Sequence, residues 1–329
     1  MIRSLYIYES PYVDPYINLA IEEYLLQKAD SQTCILYLWQ NQNTVVIGRN
    51  QNAWVECRTE LLNAEGGKLA RRLSGGGAVF HDVGNLNFTF LMAEVNYDLA
   101  KQLNVIRTAC AACGIPTEFT GRNDLTVDGK KFSGNAFYHR NGKAYHHGTI
   151  LINANMDKLS RYLSPSKAKL QAKGVASVRS RVTNLTAFKP ELTCDLMKKQ
   201  MRLAFASEYN LPYSELILSP ETNEQIQTLK LRYGSNEWLF GTPLPFSFSC
   251  ERRFDWGSIQ LNLQINKGRI VEAVVYTDSM QWDFPEIVRS CLINCPFHAA
   301  QIKSAIFSCS ELDHTVLSDI YNLIEDQNI

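Results

Sequence analysis

The 329-residue sequence lacks an excess of charge of either sign: 33 Lys and Arg stand against 33 Asp and Glu. That balance excludes a general nucleic-acid binder, which carries a basic excess or stripe. No apolar run approaches the ~18 residues a membrane-spanning helix needs. The start, MIRSLYIYESPYVDP, lacks the basic-then-apolar pattern of a secretory leader. The expectation is a soluble, cytoplasmic protein with neither nucleic acid nor membrane as partner. Metal frameworks are missing too. HExxH, an EF-hand loop and a zinc ribbon are absent, and His146-His147 has no third ligand at suitable spacing. No tightly bound metal is expected. The nine cysteines are odd in number and scattered, which fits reduced thiols better than a disulfide framework. Cys110 and Cys113 have redox spacing, but the stretch NVIRTACAACG reads as a helix with two small core thiols.

What is present is ordinary globular material, 45% apolar and 20% charged, in about two domains' worth of chain. The zero net charge hides an asymmetry: residues 1–250 carry net +5 and residues 251–329 net −5. With the composition shift at GTPLPFSFSC (241–250), it gives domains of 1–246 and 247–329. In the second, SIQLNLQIN alternates with period two, placing Ile259, Leu261, Leu263 and Ile265 on one face. Asn266-Lys267-Gly268 then turns the chain into RIVEAVVYT, and helices are expected around 285–294 and 312–325: a small α+β unit. In the first domain, Asp14-Pro15 is an N-cap followed by proline in the first turn, opening a helix to about Lys28. Asp128-Gly129 and Asn141-Gly142 are turn dipeptides between strand-like runs, so 124–127, 130–138 and 144–153 form a meander.

Three segments bear on chemistry. Arg71-Arg72-Leu73-Ser74-Gly75-Gly76-Gly77, followed by AVFHD, offers bare peptide amides and two guanidiniums to an anion. It is neither a Walker loop nor a GxSxG elbow, and reads equally as a flexible hairpin turn. Gly121-Arg122-Asn123-Asp124 leads through a tight turn to Lys130-Lys131. Alternation sends those lysines to opposite faces, so only one can enter a pocket. The segment from Lys158 to Lys189 holds eight basic residues and no acidic one. It is a solvated face or a clamp for phosphates.

The sequence resembles the bacterial, two-domain lipoate–protein ligases of the biotin/lipoate ligase superfamily. The resemblance is carried by RRLSGGGAVFHD (71–82), GRNDL (121–125), KKFSGNA (130–136), HHGT (146–149) and AKGVASVRSRVTNL (172–185), in the family's order. NLAIEEYL (19–26) and VVIGRNQN (45–52) also fit it. It implies an α+β fold with a mixed, largely antiparallel sheet flanked by helices, and a small α+β accessory domain at the C-terminus. It implies a reaction in which lipoate and MgATP give lipoyl-AMP, followed by transfer to a lysine of lipoyl domains in 2-oxoacid dehydrogenase complexes or the glycine-cleavage carrier protein.

Carried over by position, Lys131 is the catalytic lysine, contacting both phosphate and lipoyl carbonyl. Arg72, Gly77, Ala78, Val79, Phe80, Asn123, Asp124 and Lys131 form the ATP site; Lys131, Arg72, Ser74, His81 and Leu19 serve lipoate, and Asp124 is the candidate for Mg2+. The apolar slot for the acyl chain draws on Leu19, Trp39, Val45, Ile47 and His81, and the loop 165–184 covers the adenylate. The family often has Ser where Asn135 stands and Arg where Tyr138 stands. The rival readings are a lipoyl or octanoyl transferase using a preformed acyl donor without ATP, and a non-catalytic lipoate- or carrier-binding module.

Overall fold

The computed structural model describes residues 1–120, 124–163, 182–241 and 246–327. In chain order the elements are β1 (Ser4–Glu9), α1 (Pro15–Lys28), β2 (Thr33–Trp39), β3 (Thr44–Ile47), α2 (Ala53–Glu56), α3 (Thr59–Ala64), β4 (Lys68–Arg71), β5 (Val79–His81), β6 (Asn85–Ala93), α4 (Leu99–Ala112), β7 (Glu118–Thr120), β8 (Asp124–Val127), β9 (Lys130–Arg140) and β10 (Lys143–Leu151). There follow α5 (Met156–Tyr162), α6 (Cys194–Tyr209), β11 (Tyr213–Glu215), α7 (Glu224–Tyr233), α8 (Asn236–Phe240), β12 (Phe248–Phe254), β13 (Gly257–Asn266), β14 (Arg269–Thr277), α9 (Phe284–Leu292), α10 (Ala299–Phe307) and α11 (His314–Glu325).

Eight strands make one sheet in the order β11-β1-β2-β6-β10-β9-β8-β7, in which only β11–β1 and β1–β2 run parallel. The mixed, largely antiparallel sheet expected from the sequence is what forms. Its local causes are those read from the chain. Asp14 caps α1, accepting from the Tyr16 amide at 2.8 Å, with Pro15 in the first turn. Asp128-Gly129 and Asn141-Gly142 turn the meander with φ between 48° and 70°.

Both faces of this sheet are covered. Leu36, Phe88, Phe90 and Ile150 pack on one side against α4 and α6. Tyr37, Trp39, Tyr138 and Tyr145 lie on the other, against α1 and a three-stranded sheet ordered β4-β3-β5. The nine residues of β6 are therefore all buried. Its first face is Leu86, Phe88, Phe90 and Met92; its second begins Asn85, Asn87, Thr89, a polar row in the centre of a buried layer. His146 and His147 obey the same alternation. They point to opposite faces, and both are buried because both faces are covered. Cys110 of α4 and Cys113, which caps its C-terminal end, are buried thiols, and burial pushes both upward from the ordinary thiol range.

Residues from Cys250 to Ile324 build a separate apolar cluster around β12-β13-β14. Lys267-Gly268 turns its hairpin with φ of 48° and 72°. Ile259, Leu261 and Leu263 face inward as the alternation requires, but a register shift at Gln264/Ile265 takes Ile265 out of the row. Among the described residues this unit meets the first mainly along 277–282, with one further bond from Asn52 Nδ2 to Gln260 Oε1 at 3.4 Å. The Thr277 amide donates to Asn50 O (2.9 Å), Asn50 Nδ2 to Trp282 O (2.7 Å), and the Gly76 amide to Ser279 O (3.0 Å). Among the described residues, no helix is long and apolar enough to cross a membrane.

Candidate active site

Lys131 reaches its position through a defect in strand pairing. β8 and β9 pair as Asp124↔Gly134 and Leu125↔Ser133, but the next pair is Thr126↔Lys131. Phe132 is the extra residue, and its ring is anchored in the core at 0% exposure. In a regular strand, residues 131 and 134 would point to opposite faces; the bulge brings them to one. The Lys131 side chain lies back over Gly134, where an added Cβ would meet Nζ at 3.0 Å and Cε at 3.1 Å. It forms an ion pair with Asp124 at 2.6 Å, both side chains about one-third exposed (34% and 35%). Lys130, on the other face, is exposed. The backbone beyond the undescribed stretch 164–181 pins this strand from outside, through the Thr183 amide and Lys131 O at 2.8 Å.

The triple-glycine loop is shaped from within by Arg72, which is 6% exposed. Its guanidinium donates to Ser74 Oγ (3.0 Å), Val46 O (3.2 Å), Gly75 O (2.7 Å) and Gly77 O (2.8 Å). In a trans peptide the N–H points opposite the C=O. Arg72, by drawing in the carbonyls of Gly75 and Gly77, therefore turns the Gly76 and Ala78 amides outward. Burial pulls Arg72 down to about 10, which leaves it cationic at neutral pH. Gly48 lies so close that a Cβ there would sit 2.2 Å from Gly76 O. The outward Gly76 amide is engaged by Ser279 of the C-terminal unit.

Beneath the loop runs a chain of buried polar groups. Ser74 Oγ bonds His147 Nε2 at 2.7 Å, and His147 Nδ1 bonds Glu22 Oε1 at 2.8 Å. Thr89 Oγ1 donates to the same carboxyl oxygen (2.7 Å), and Trp39 Nε1 donates to Thr89 Oγ1 (3.1 Å). The order Ser–His–Glu is that of a nucleophile relay. Ser74, however, is 0% exposed and already accepts from Arg72, so the chain acts as a brace fixing loop, sheet and α1 together. His81 is held by Asn41 Nδ2 at its Nδ1 (3.2 Å), and Asn18 Nδ2 fixes Asn41 by donating to its Oδ1 (3.0 Å). That orientation leaves the proton on His81 Nε2. Burial, with Arg72 and His147 nearby, pulls His81 down to about 3, so it is neutral. His81 Nε2 and Asn87 Nδ2 are buried donors without a partner among the described residues. They are the sort of polar handle that orients a ligand in an otherwise apolar slot.

The structure brings Leu19, Arg72, Ser74 and His81 together on the layer between the two sheets. Lys131 and Asp124 stand at its β9 end: Ala136 pairs with His147, and Gly134 is two residues, about 7 Å, further along. Gly77 is exposed and Ala78 and Val79 half-buried, so their backbone is accessible. The Phe80 side chain points away, into a cluster with Tyr162 at 5.5 Å, leaving only its backbone to a ligand. Val45 and Ile47 share that outer cluster, whereas Val46 faces the large sheet beside Leu19 and Trp39, so Val45 and Ile47 are not brought to the layer that holds Leu19 and Trp39. Asn123 and residues 165–181 of the covering loop lie outside the described residues. Tyr138 stacks on Tyr145 (5.2 Å) and packs on Trp282 (5.4 Å). Sequence reading missed Glu22 and the polar row of β6. The signals were a charged residue on the apolar face of α1 and Asn85, Asn87, Thr89 alternating with apolar residues.

Comparison with known proteins agrees with this layout. Residues 14–206 match the family model for the lipoyl protein ligase A/B catalytic domain, and residues 244–324 match that for the bacterial lipoate protein ligase C-terminus. Lipoate-protein ligase A of Psychrobacter cryohalolentis is 38% identical over 313 residues, 92% of this chain and 91% of its own. That of Blochmanniella floridana is 38% identical over 297 residues, 88% of each. In fold, LipL1 of P. falciparum in complex with lipoate superposes with a TM-score of 0.85 at 24% identity, over 98% of both chains. A lipoate-protein ligase A bound with ATP gives 0.62 at 24%, over 73% of this chain and 99% of its own. The bipartite ligase of Thermoplasma acidophilum, described with its E2 lipoyl domain, gives 0.63 at 25%, over 75% and 100%. The chain belongs to the lipoate–protein ligase A family and is a lipoate–protein ligase.

Proposed function

We propose that the enzyme joins lipoate to AMP and then passes the lipoyl group to a lysine of lipoyl domains, in 2-oxoacid dehydrogenase complexes or the glycine-cleavage carrier protein. In the first step a lipoate carboxylate oxygen attacks the α-phosphorus of ATP and pyrophosphate leaves. The nucleophile is ionised at neutral pH, so no general base is needed. What the step requires is positive charge and donors aimed at the oxygens gathering charge. Lys131 supplies the first; the Ala78 amide, and the Gly76 amide once Ser279 withdraws, supply the second. In the second step the acceptor amine attacks the lipoyl carbonyl and AMP leaves. A lysine amine is protonated at neutral pH, and the cationic surroundings of Lys131 favour its neutral, attacking form.

The observation that carries this reading is the β9 bulge, which sets Lys131 beside Asp124 on the layer that holds the glycine loop. Arg72, Gly77, Ala78, Val79, Phe80, Asn123 and Asp124 are assigned to the nucleotide: Arg72 as organiser of the loop, Phe80 through its backbone. Leu19, Ser74 and His81 are assigned to lipoate. Among the described residues no group of three or more His, Cys, Asp or Glu side chains could hold a metal. Asp124 offers a single carboxylate, so Mg2+ enters as MgATP, held mainly by phosphates and water and neutralising their charge. Relatives described with ATP and with an E2 lipoyl domain support the nucleotide and the class of acceptor. The domain division is taken at 246/247, and the second domain moves off the loop between the two steps. Exchange of labelled pyrophosphate into ATP, strictly dependent on lipoate, is the expected result; transfer from an acyl donor without any exchange would replace this reading with the transferase.

A further inference from the structure

The proposed first step expels a highly charged anion, and most cations around the glycine loop are already engaged. Arg71 is bound to the carbonyls of Gly48, Arg49, Gln51, Trp238 and Leu239. Arg72 is consumed by the loop, Lys131 is paired with Asp124, and Arg232 with Glu23. Two guanidiniums remain, Arg49 and Arg140, neither with a carboxylate or other hydrogen-bond acceptor among the described residues.

They lie near enough that the charge of Arg140 acts on Arg49. The Arg49 amide donates to Ser74 O at 2.9 Å, which ties it to the start of the loop. Its guanidinium stacks 4.4 Å over Trp238. Arg140 ends β9 and lies 5.1 Å over Trp282, the same ring that packs on Tyr138. Trp282 O in turn accepts from Asn50, the residue after Arg49, at 2.7 Å. Each guanidinium is thus held by an aromatic face, which fixes its plane and leaves its N–H edge free. Burial lowers Arg49 from the ordinary range; Tyr138 and Tyr233 oppose this, while the like charges of Arg232 and Arg140 add to it. Planar forks of this kind suit phosphate oxygens bidentately.

We propose that Arg49 and Arg140 form a pyrophosphate subsite, taking the β- and γ-phosphates of the nucleotide while Lys131 serves the α-phosphate. The subsite rests on the adenylation reading above. Because Trp282 belongs to the segment whose Ser279 occupies the Gly76 amide, the C-terminal domain touches both the subsite and the loop.

The test titrates inorganic pyrophosphate with Mg2+ into the whole protein and its Arg49→Gln, Arg49→Lys and Arg140→Gln variants. The same proteins are assayed for ATP–pyrophosphate exchange and for use of preformed lipoyl-AMP with a lipoyl-domain acceptor. Loss of one charge-assisted contact lowers affinity about tenfold or more. Pyrophosphate binding should weaken by that factor in both Gln variants, and KM for pyrophosphate in exchange should rise with it. Arg49→Lys should fall between. Arg140 is exposed, so its variant is informative even if Arg49→Gln folds poorly. Unchanged pyrophosphate affinity in Arg140→Gln and Arg49→Lys overturns the subsite. So does a rise in acceptor KM alone, which would make the pair a docking surface for acidic acceptors. Arginine-dependent pyrophosphate binding in a wild type that shows no lipoate-dependent exchange leaves the subsite standing and sinks the adenylation reading instead.

Discussion

Gly134→Ala separates catalysis from stability at one position. The new methyl would stand 3.0 Å from Lys131 Nζ and 3.1 Å from Cε, with Thr149 Oγ1 an ordinary 3.9 Å away. Normal contact is roughly 3.5–4.0 Å, so something must give by about half an ångström. The flexible end of Lys131 gives most easily, because nothing else lies closer than Thr149. Removing a glycine from a strand interior stabilises the chain by roughly 0.5–1 kcal/mol. Displacing a reacting group by about 1 Å costs as much as 100-fold in rate, so half that displacement is expected to cost about tenfold. The assay pairs lipoate-dependent ATP–pyrophosphate exchange with urea unfolding. The expected result is an equal or higher unfolding midpoint together with about tenfold slower exchange. Exchange at the wild-type rate in a variant at least as stable would show that Lys131 does not act from its place over Gly134.

Other outcomes follow from the same geometry. His81 and His146, the latter among the rings of Phe88, Phe90 and Phe137, are both pulled by burial to about 3 from an ordinary 6.5. Below pH 6.5 the unfolded chain binds protons that the folded chain refuses, so their contribution is complete above 6.5 and declines as pH falls toward 3. At pH 5.5 each costs about 1.4 kcal/mol; His146→Gln should remove about half of the paired loss, and an unaltered pH dependence of unfolding would contradict this. His147→Ala strands buried Glu22 and Ser74 and should destabilise by roughly 3 kcal/mol or more, read by urea unfolding; a midpoint near wild type would mean the brace is dispensable. Gly75→Ala puts a methyl 2.3 Å from Ser279 O, a backbone atom that cannot swing aside. The C-terminal unit should detach and enlarge the radius of gyration in solution scattering, and an unchanged profile would count against the docking contact.

Much of this molecule is legible in the chain because local chemistry decides it. Asp14-Pro15 starts α1 by satisfying end amides, and three glycine turn dipeptides bend hairpins because their residues tolerate positive φ. The RRLSGGG segment reads equally as an anion site and as a flexible turn, and the chain alone does not show that Arg72 shapes it from within. Arg72 was expected at the nucleotide, yet its donors are held by carbonyls that only the folded loop presents. The bulge at Phe132 has no local signature; strict alternation would have sent Lys131 and Gly134 to opposite faces. Glu22 meets His147 across 125 residues of chain, and Ser279 meets Gly76 across a domain boundary. Pairings of that range are set by tertiary packing, which periodicity does not encode. The aromatic place of Tyr138 likewise depends on Trp282, far along the sequence.

The most direct measurement is a single-turnover quench of enzyme with lipoate and labelled ATP, following lipoyl-AMP in the wild type and in Lys131→Met, with unfolding midpoints taken in parallel. Lys131 should be worth at least 10²–10³ in the rate of adenylate formation, as is usual for one preorganised charge or donor, with the midpoint little changed. Adenylate appearing at the wild-type rate in a folded Lys131→Met protein would contradict the assignment of this lysine, and with it the site built around the bulge.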